Sequence, residues 1–206
     1  MAGNYISSYD VKMLAQVSYE DLGFNTDGDY ESWLDNDLIP HVESVVDSYC
    51  NVPSGFFKAG GLTFTDQLYD YKQTLQLRYY PVLEVSAVKR NKAGYGQTPD
   101  WEALDSTDYI VDKNAGIIYF VSGKVPAVLE QSVKVSYKAG YSSTPNVISH
   151  VAAQTCANIL NIMLQRKVAP VIRIDDWTVR LVLPAAFTEE LKNMLAPYVR
   201  RFTEVG

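Results

Sequence analysis

The stretch VKVSYKAGYSSTPNVISHVAAQTCANILNIMLQRK, residues 133–167, changes its repeat midway. Val133, Val135 and Tyr137 alternate with Lys134, Ser136 and Lys138, a period of two. From Ile148 the apolar positions are Ile148, Val151, Ala152, Thr155, Cys156, Ile159, Leu160 and Met163, a period near 3.6. A half-buried strand therefore passes through a Gly/Ser/Pro turn into an amphipathic helix. Ser143 or Thr144 is placed to cap that helix and Pro145 to occupy its first turn. No polar group suited to catalysis lies on its apolar face, so the helix reads as a packing element.

Working outward in both directions gives the same mixture. Upstream, "LTFTDQLYDYKQTLQLRYYPVLEVSAVKRN" predicts a strand from Thr74 to Tyr79, a break at Pro81 and a strand from Leu83 to Val88. "NKAGYG" and "TPD" read as turns. "DYIVDKNAGIIYFVSG" predicts a hairpin with "DKNAG" as its loop. Short strands with turns every ten or so residues favour a small sandwich or barrel-like sheet.

Before the β region, "TDGDYESWLDNDLIPHVESVVDSYC" predicts a helix opened by Thr26 and Asp29. Its stripe is Tyr30, Trp33, Leu34, Leu38, Val42, Val45, Val46 and Tyr49. Pro40 in its middle should kink it or split it in two, because proline removes an amide and crowds the preceding turn. Downstream of the quoted stretch, residues 171–183 alternate Ile172, Ile174, Trp177, Val179, Leu181 and Leu183, an extended pattern able to pair with another strand or another subunit. A last helix is expected from Pro184, with Phe187, Leu191, Met194, Leu195, Tyr198 and Phe202 as its stripe and Pro197 distorting its final turns.

The expected class is α+β, a small helical bundle carrying an inserted antiparallel β domain. The expected segments are an arm or lead-in over 1–25, the first helix and its loop over 26–60, the β-rich insertion over 61–141, and C-terminal helices with their extended connector over 142–206.

The totals bound the chemistry. The chain has 206 residues, 47% hydrophobic and 20% charged, an ordinary globular balance. Its 15 tyrosines are many, and a tyrosine surplus suits large contact surfaces, cores and strands alike. Net charge is −6, unevenly spread: residues 1–50 hold ten acids against Lys12 alone, leaving 17 Lys/Arg against 14 acids in the rest. That asymmetry suits head-to-side docking between copies or partners, and also a plainly solvated acidic terminus. Cys50 and Cys156 belong to no CxxC pair and lie on apolar helix faces, so buried free thiols in a reducing compartment are expected. "MAGNYISSYDVKMLAQV" lacks a basic start followed by an apolar run, so no secretory leader is expected. No stretch approaches 18 apolar residues, so no membrane span is expected.

Catalytic signatures are absent from the pattern. His41 sits beside Pro40, and His150 is out of phase with Cys156, so neither joins a four-ligand metal set. Asp175 with Asp176 and Glu189 with Glu190 are neighbours that point apart. "NVPSGFFKAGG" lacks the G-K-[ST] step of a phosphate loop, "TDGDYESW" lacks calcium-loop spacing, and no serine nucleophile elbow occurs. Lys89, Arg90, Lys92, Arg200 and Arg201 form small basic clusters rather than a stripe, enough to face passing DNA without reading its sequence. No catalytic, cofactor-binding or metal-ligating residue is nominated, and no enzyme is expected.

The order of segments does resemble a known family. "DLIPHVESVVDSYCNVP", "LRYYPVLEVSAVK", "DYIVDKNAGIIYF", "VKVSYKAGYSSTPNVISHVAAQTCANIL" and "LAPYVRRF" follow one another as do the opening helix, strand pair, hairpin, strand-to-helix passage and closing helix of the head–tail connectors, or adaptors, of tailed double-stranded DNA phages and related gene-transfer particles. The resemblance spans roughly residues 26–202; Pro40, the acidic lead-in and the interposed Val199 depart from it. It implies a structural virion protein at the neck, assembled in the host cytoplasm. Copies would form a ring, commonly of twelve, that meets the portal on one side and a stopper or tail-joining protein on the other. Double-stranded DNA would pass through without sequence recognition, and no cofactor or membrane is implied. Rival readings are another neck or tail-completion protein of the virion, and a protein- or carbohydrate-binding β module whose Tyr and Trp line a groove.

Overall fold

The computed structural model describes residues 4–70, 74–93, 97–121, 132–168 and 186–200. The fold is α+β, a helical bundle with an antiparallel β region inserted into it. By internal contacts the chain divides into two compact units, Met1–Gly55 with Thr144–Arg201, and Phe56–Ser143.

In the helical unit, α5 (Asn146–Val168) is the axis on which α1 (Ser8–Ala15), α2 (Tyr19–Leu22), α4 (Ile39–Cys50) and α6 (Glu189–Leu195) pack. Ile148, Val151, Ala152, Thr155, Cys156 and Leu160 are buried as the periodicity predicts, Ala153 and Ala157 are buried beside them, and Ile159 is half-buried, while Met163, expected on the same face, is exposed. The sequence shows an amphipathic helix; the structure surrounds it more fully, because small alanines on the flanks let neighbouring helices approach. Thr155 meets this burial by donating its hydroxyl to the Val151 carbonyl at 2.7 Å. Residues Asn146–Gln165 are also long and apolar enough, by length and composition, to cross a bilayer, which corrects the expectation that no such stretch exists. Uncharged Ser, Asn, Gln and His hid it from a search for unbroken apolar runs. Its packing against four other helices is that of a core helix.

Pro40 does not split the first helix. The chain runs helically through α3 (Asp27–Trp33), a π turn (Leu34–Leu38) and α4. Buried Tyr30, Leu34, Leu38, Val42, Val46 and Cys50 recur every four residues. That spacing drifts about 40° per turn in an α-helix, and the wider π turn takes back part of the drift. It also carries the Ile39 amide to the Leu34 carbonyl just before the residue that has no amide to offer.

Residues 1–25, expected as a lead-in, contain α1 and α2, with Tyr5, Ile6, Val11, Ala15 and Val17 buried. Both helices open on reciprocal Ser-x-x-Asp boxes, Ser7 with Asp10 and Ser18 with Asp21. The last helix starts later than expected, at Glu189 rather than Pro184, because Thr188 caps it by accepting from the Leu191 amide. It gives way to a 3₁₀ turn over Ala196–Tyr198, where Pro197 ends the α ladder. Thr188→Ala should lower the stability of the protein by about 1 kcal/mol, read from denaturant unfolding.

The described residues of the inserted unit form two sheets. One has the order β1 (Leu62–Tyr69), β7 (Val133–Ala139), β3 (Val82–Asn91), β4 (Trp101–Ala103); the other has β2 (Thr74–Gln76), β6 (Ile117–Phe120), β5 (Tyr109–Asp112). The predicted hairpin is β5–β6, with Ile110 opposite Tyr119. β2 is shorter than predicted and β3 longer, while β1 and β4 were not foreseen. β1 escaped notice because a bulge at Asp66, whose φ is 49°, interrupts its alternation between Phe64 and Gln67. The peptide before Pro81 is cis.

The core of this unit is aromatic. Phe64 stacks on Tyr79 and Tyr137 at 4.6 and 5.3 Å, and Phe56 meets Phe57 edge-on at 5.5 Å. The Tyr137 hydroxyl lies 3.1 Å from that of Tyr69 and accepts the Tyr79 amide. Burial raises both phenols above their ordinary pKa. Part of the tyrosine surplus is therefore structural: ring area in the core with the hydroxyl satisfied.

Candidate interaction surfaces

The polar residues nominated for scrutiny do not converge. His41 and His150 are both exposed. Cys50 and Cys156 are free and buried, and burial pushes each thiol up to about 12, so neither is a thiolate at neutral pH. Glu189 is taken up by an ion pair with Lys192 one turn on. Asp175, Asp176 and the extended pattern over 171–183 lie outside the described residues. Among the described residues no group of His, Cys, Asp and Glu could hold a metal ion.

Arg201, the last of the basic residues nominated, lies outside the described residues. Arg90 pairs with Glu102 at 2.6 Å. Lys134 stands 4.5 Å over the Trp101 ring and 4.0 Å from Asp66. The Arg200 amide donates to the Cys50 carbonyl, and the Asn51 side chain donates to the Arg200 carbonyl, which ties the chain's last described residue to the end of α4. Lys12, the sole cation among the first fifty residues, bridges Asp27 and Glu31 at 2.7 and 2.9 Å. These pairs are partly exposed and worth about 1 kcal/mol or less each.

One polar cluster is buried, and residue patterns gave no sign of it. Glu43 accepts the Asn4 and Tyr5 amides at 2.9 and 2.7 Å and the Asn4 side chain at 3.2 Å. Asp47, one turn on, accepts the Tyr5 hydroxyl at 2.5 Å and the Gly55 amide at 2.9 Å. Ser149 of α5 donates to the Tyr5 carbonyl at 3.0 Å. Both carboxylates are 3% exposed, so they are inside the fold rather than waiting for a ligand. Burial pushes Asp47 up to about 6; the hydrogen bonds from Tyr5 and Gly55 pull it back, and the Glu43 charge adds to the rise. The cluster clamps the N-terminal segment onto α4 and α5. The signal that could have found it is the spacing: Glu43 and Asp47 fall in step with Ile39 and Cys50 on the apolar side of the helix.

What remains for partners is apolar surface. On α1, Tyr9 and Met13 are 68% and 61% exposed one turn apart, with Leu14 beside them. On the outer face of the small sheet, Ile110 is 66% exposed opposite a 41% exposed Tyr119, and Val121 continues the row. The inner face of that sheet buries Leu75 and Ile118, which are register partners. Among the described residues these are two groups of exposed apolar side chains.

No protein-family model matches the chain, and no curated protein matches it in sequence. Among solved structures it is similar to a chain from the "Neck of empty GTA particle computed with C6 symmetry", at 12% identity and a TM-score of 0.52, over 98% of this chain and 93% of that one. At that identity the likeness is one of fold alone.

Proposed function

We propose that this chain is a structural virion protein, a head–tail connector that closes into a ring between the portal and the stopper or tail. The observation that carries the reading is the fold likeness to a neck chain over nearly the whole of both chains, helical unit and β insertion together. In the ring, twelve copies as in the family the sequence resembles, each subunit presents one surface to the next so that the rotation closes. The exposed apolar positions on α1 and on the β5–β6 hairpin supply contact area for such joints. Double-stranded DNA passes through the ring without being read, and an acidic subunit with dispersed cations holds it loosely. The work is done by surfaces, and no catalytic step is required of any residue.

Mass photometry and negative-stain imaging of the purified protein, alone and mixed with its portal, test this. Rings, or portal particles that gain one layer of matching symmetry, are the expected result. A monomer that ignores the portal but binds the tail-side proteins would move it to another neck position. Binding to no virion component would overturn the reading.

A further inference from the structure

We infer that the free edge of β5 is a docking site for a strand from a second copy of this chain, and that the strand is supplied by residues 177–183. The inference rests on the ring reading above and names one of its joints.

The hydrogen-bond phase of the hairpin leaves that edge unused by β6. In an antiparallel pair, residues alternate between those bonded to the partner strand and those whose backbone groups face away. The Val121 amide donates to the Asp108 carbonyl at 2.9 Å, which makes Asp108 and Val121 a bonded pair. Two residues on, Ile110 and Tyr119 are the next bonded pair in the same register, and Asp112 and Ile117 the one after. The amides and carbonyls of Tyr109 and Val111 therefore face away from β6, and among the described strands β5 is the edge of its sheet.

Among the described strands this edge is the least protected. β1 carries the bulge at Asp66, and β2 and β4 are three residues each. β5 has no bulge, no proline and no lysine over Tyr109–Asp112, the devices that ordinarily keep edges apart. It also presents Ile110, the most exposed aliphatic side chain among the described residues, beside Tyr119 and Val121. An added strand would cover an apolar row as well as satisfy a backbone edge.

The chain carries a segment fitted to it. Trp177, Val179, Leu181 and Leu183 alternate with Thr178, Arg180 and Val182, the period-two pattern that strand addition requires. Charges match as well: Asp105 and Asp108 precede β5 and Asp112 ends it, while Arg180 lies on the donor segment. A donor passed from each copy to the next is a heterologous contact, the kind that builds rings.

The test places a photo-crosslinking benzoylphenylalanine at Tyr119, the exposed register partner of Ile110, in the full chain. Isotopically light and heavy protein are mixed, at high concentration alone and again with portal rings. Light–heavy crosslinks to 177–183 are expected. Val111→Pro, which removes an outward amide that the sheet does not use, and Ile110→Lys should each cut them more than tenfold with the far-ultraviolet spectrum unchanged. Replacing 177–183 by Gly and Ser should do the same and add nothing to Ile110→Lys. Crosslinks confined to single copies would overturn the exchange between copies. Crosslinks elsewhere, or none, in a chain that still joins portal rings would overturn the inference and leave the neck reading standing. Light–heavy crosslinks in a chain that joins no virion component would do the reverse.

Discussion

Gly61→Ala is expected to cost at least about 3 kcal/mol and to unravel the inserted β unit. A Cβ at this position would meet the Ala139 carbonyl oxygen at 2.5 Å and the Leu83 side chain at 2.9 Å. The nearest atom is backbone in a central strand, so it cannot swing aside as a flexible side chain would. The φ of 65° adds the left-handed penalty that any L residue bears. Gly140 faces the same crossing from the other side: its Cβ would lie 2.8 Å from the Phe56 carbonyl oxygen and 2.9 Å from the Gly61 Cα. Gly60 is the internal control. Its φ is 84° but nothing lies within 4 Å of its Cβ position, so Gly60→Ala carries the conformational cost alone, about 1 kcal/mol. Denaturant unfolding with amide exchange across Val82–Asn91 and Val133–Ala139 measures both. Equal costs for the two substitutions would show that the backbone crossing is less tight than described.

The second large effect concerns Asp47. Its two oxygens each accept, one from the Tyr5 hydroxyl and one from the Gly55 amide. Asp47→Asn keeps an acceptor for the Gly55 amide and offers a donor to the Tyr5 oxygen, so it copies the protonated acid and should change stability little at pH 5. The pH dependence carries the sharper signature. The fold holds this carboxyl at about 6 against an ordinary 3.8. The folded state therefore binds the proton more tightly, and the resulting stabilisation is complete below about pH 4 and lost as pH rises through 6. Two pKa units bound it at about 3 kcal/mol. Stability curves between pH 4 and 7 should fall with this slope in the native chain and flatten in Asp47→Asn. Matching slopes would place the proton elsewhere.

Legibility from sequence followed how far each signal depended on local spacing. The passage from β7 into α5 was readable because both repeats are long and uninterrupted, and the β5–β6 hairpin because its turn residues sit between dense β-formers. β1 was lost to a single bulged residue, and α1 and α2 to their shortness, although their Ser-x-x-Asp boxes stand in the sequence. The π turn could not be foreseen: a proline predicts that a helix must yield, not that it yields by widening one turn ahead. Surfaces were the least legible. Ile110 reads as one more apolar residue in a strand, and only the sheet's two faces show that it looks outward while Ile118 looks in. Glu43 and Asp47 carry the opposite lesson, since acids on an apolar stripe read as solvated until the Asn4 and Tyr5 amides are seen to reach them.

The glycine crossing has a further consequence. The Gly60 amide donates to the Tyr141 carbonyl and Ala59 pairs with Tyr141, so the inserted stretch departs and returns through a single doorway. A segment whose two ends are already joined can be gained, lost or exchanged as a cassette, because its host need supply only one loop's worth of opening. Lineages are then free to diverge in what the insertion carries without redrawing the rest of the chain.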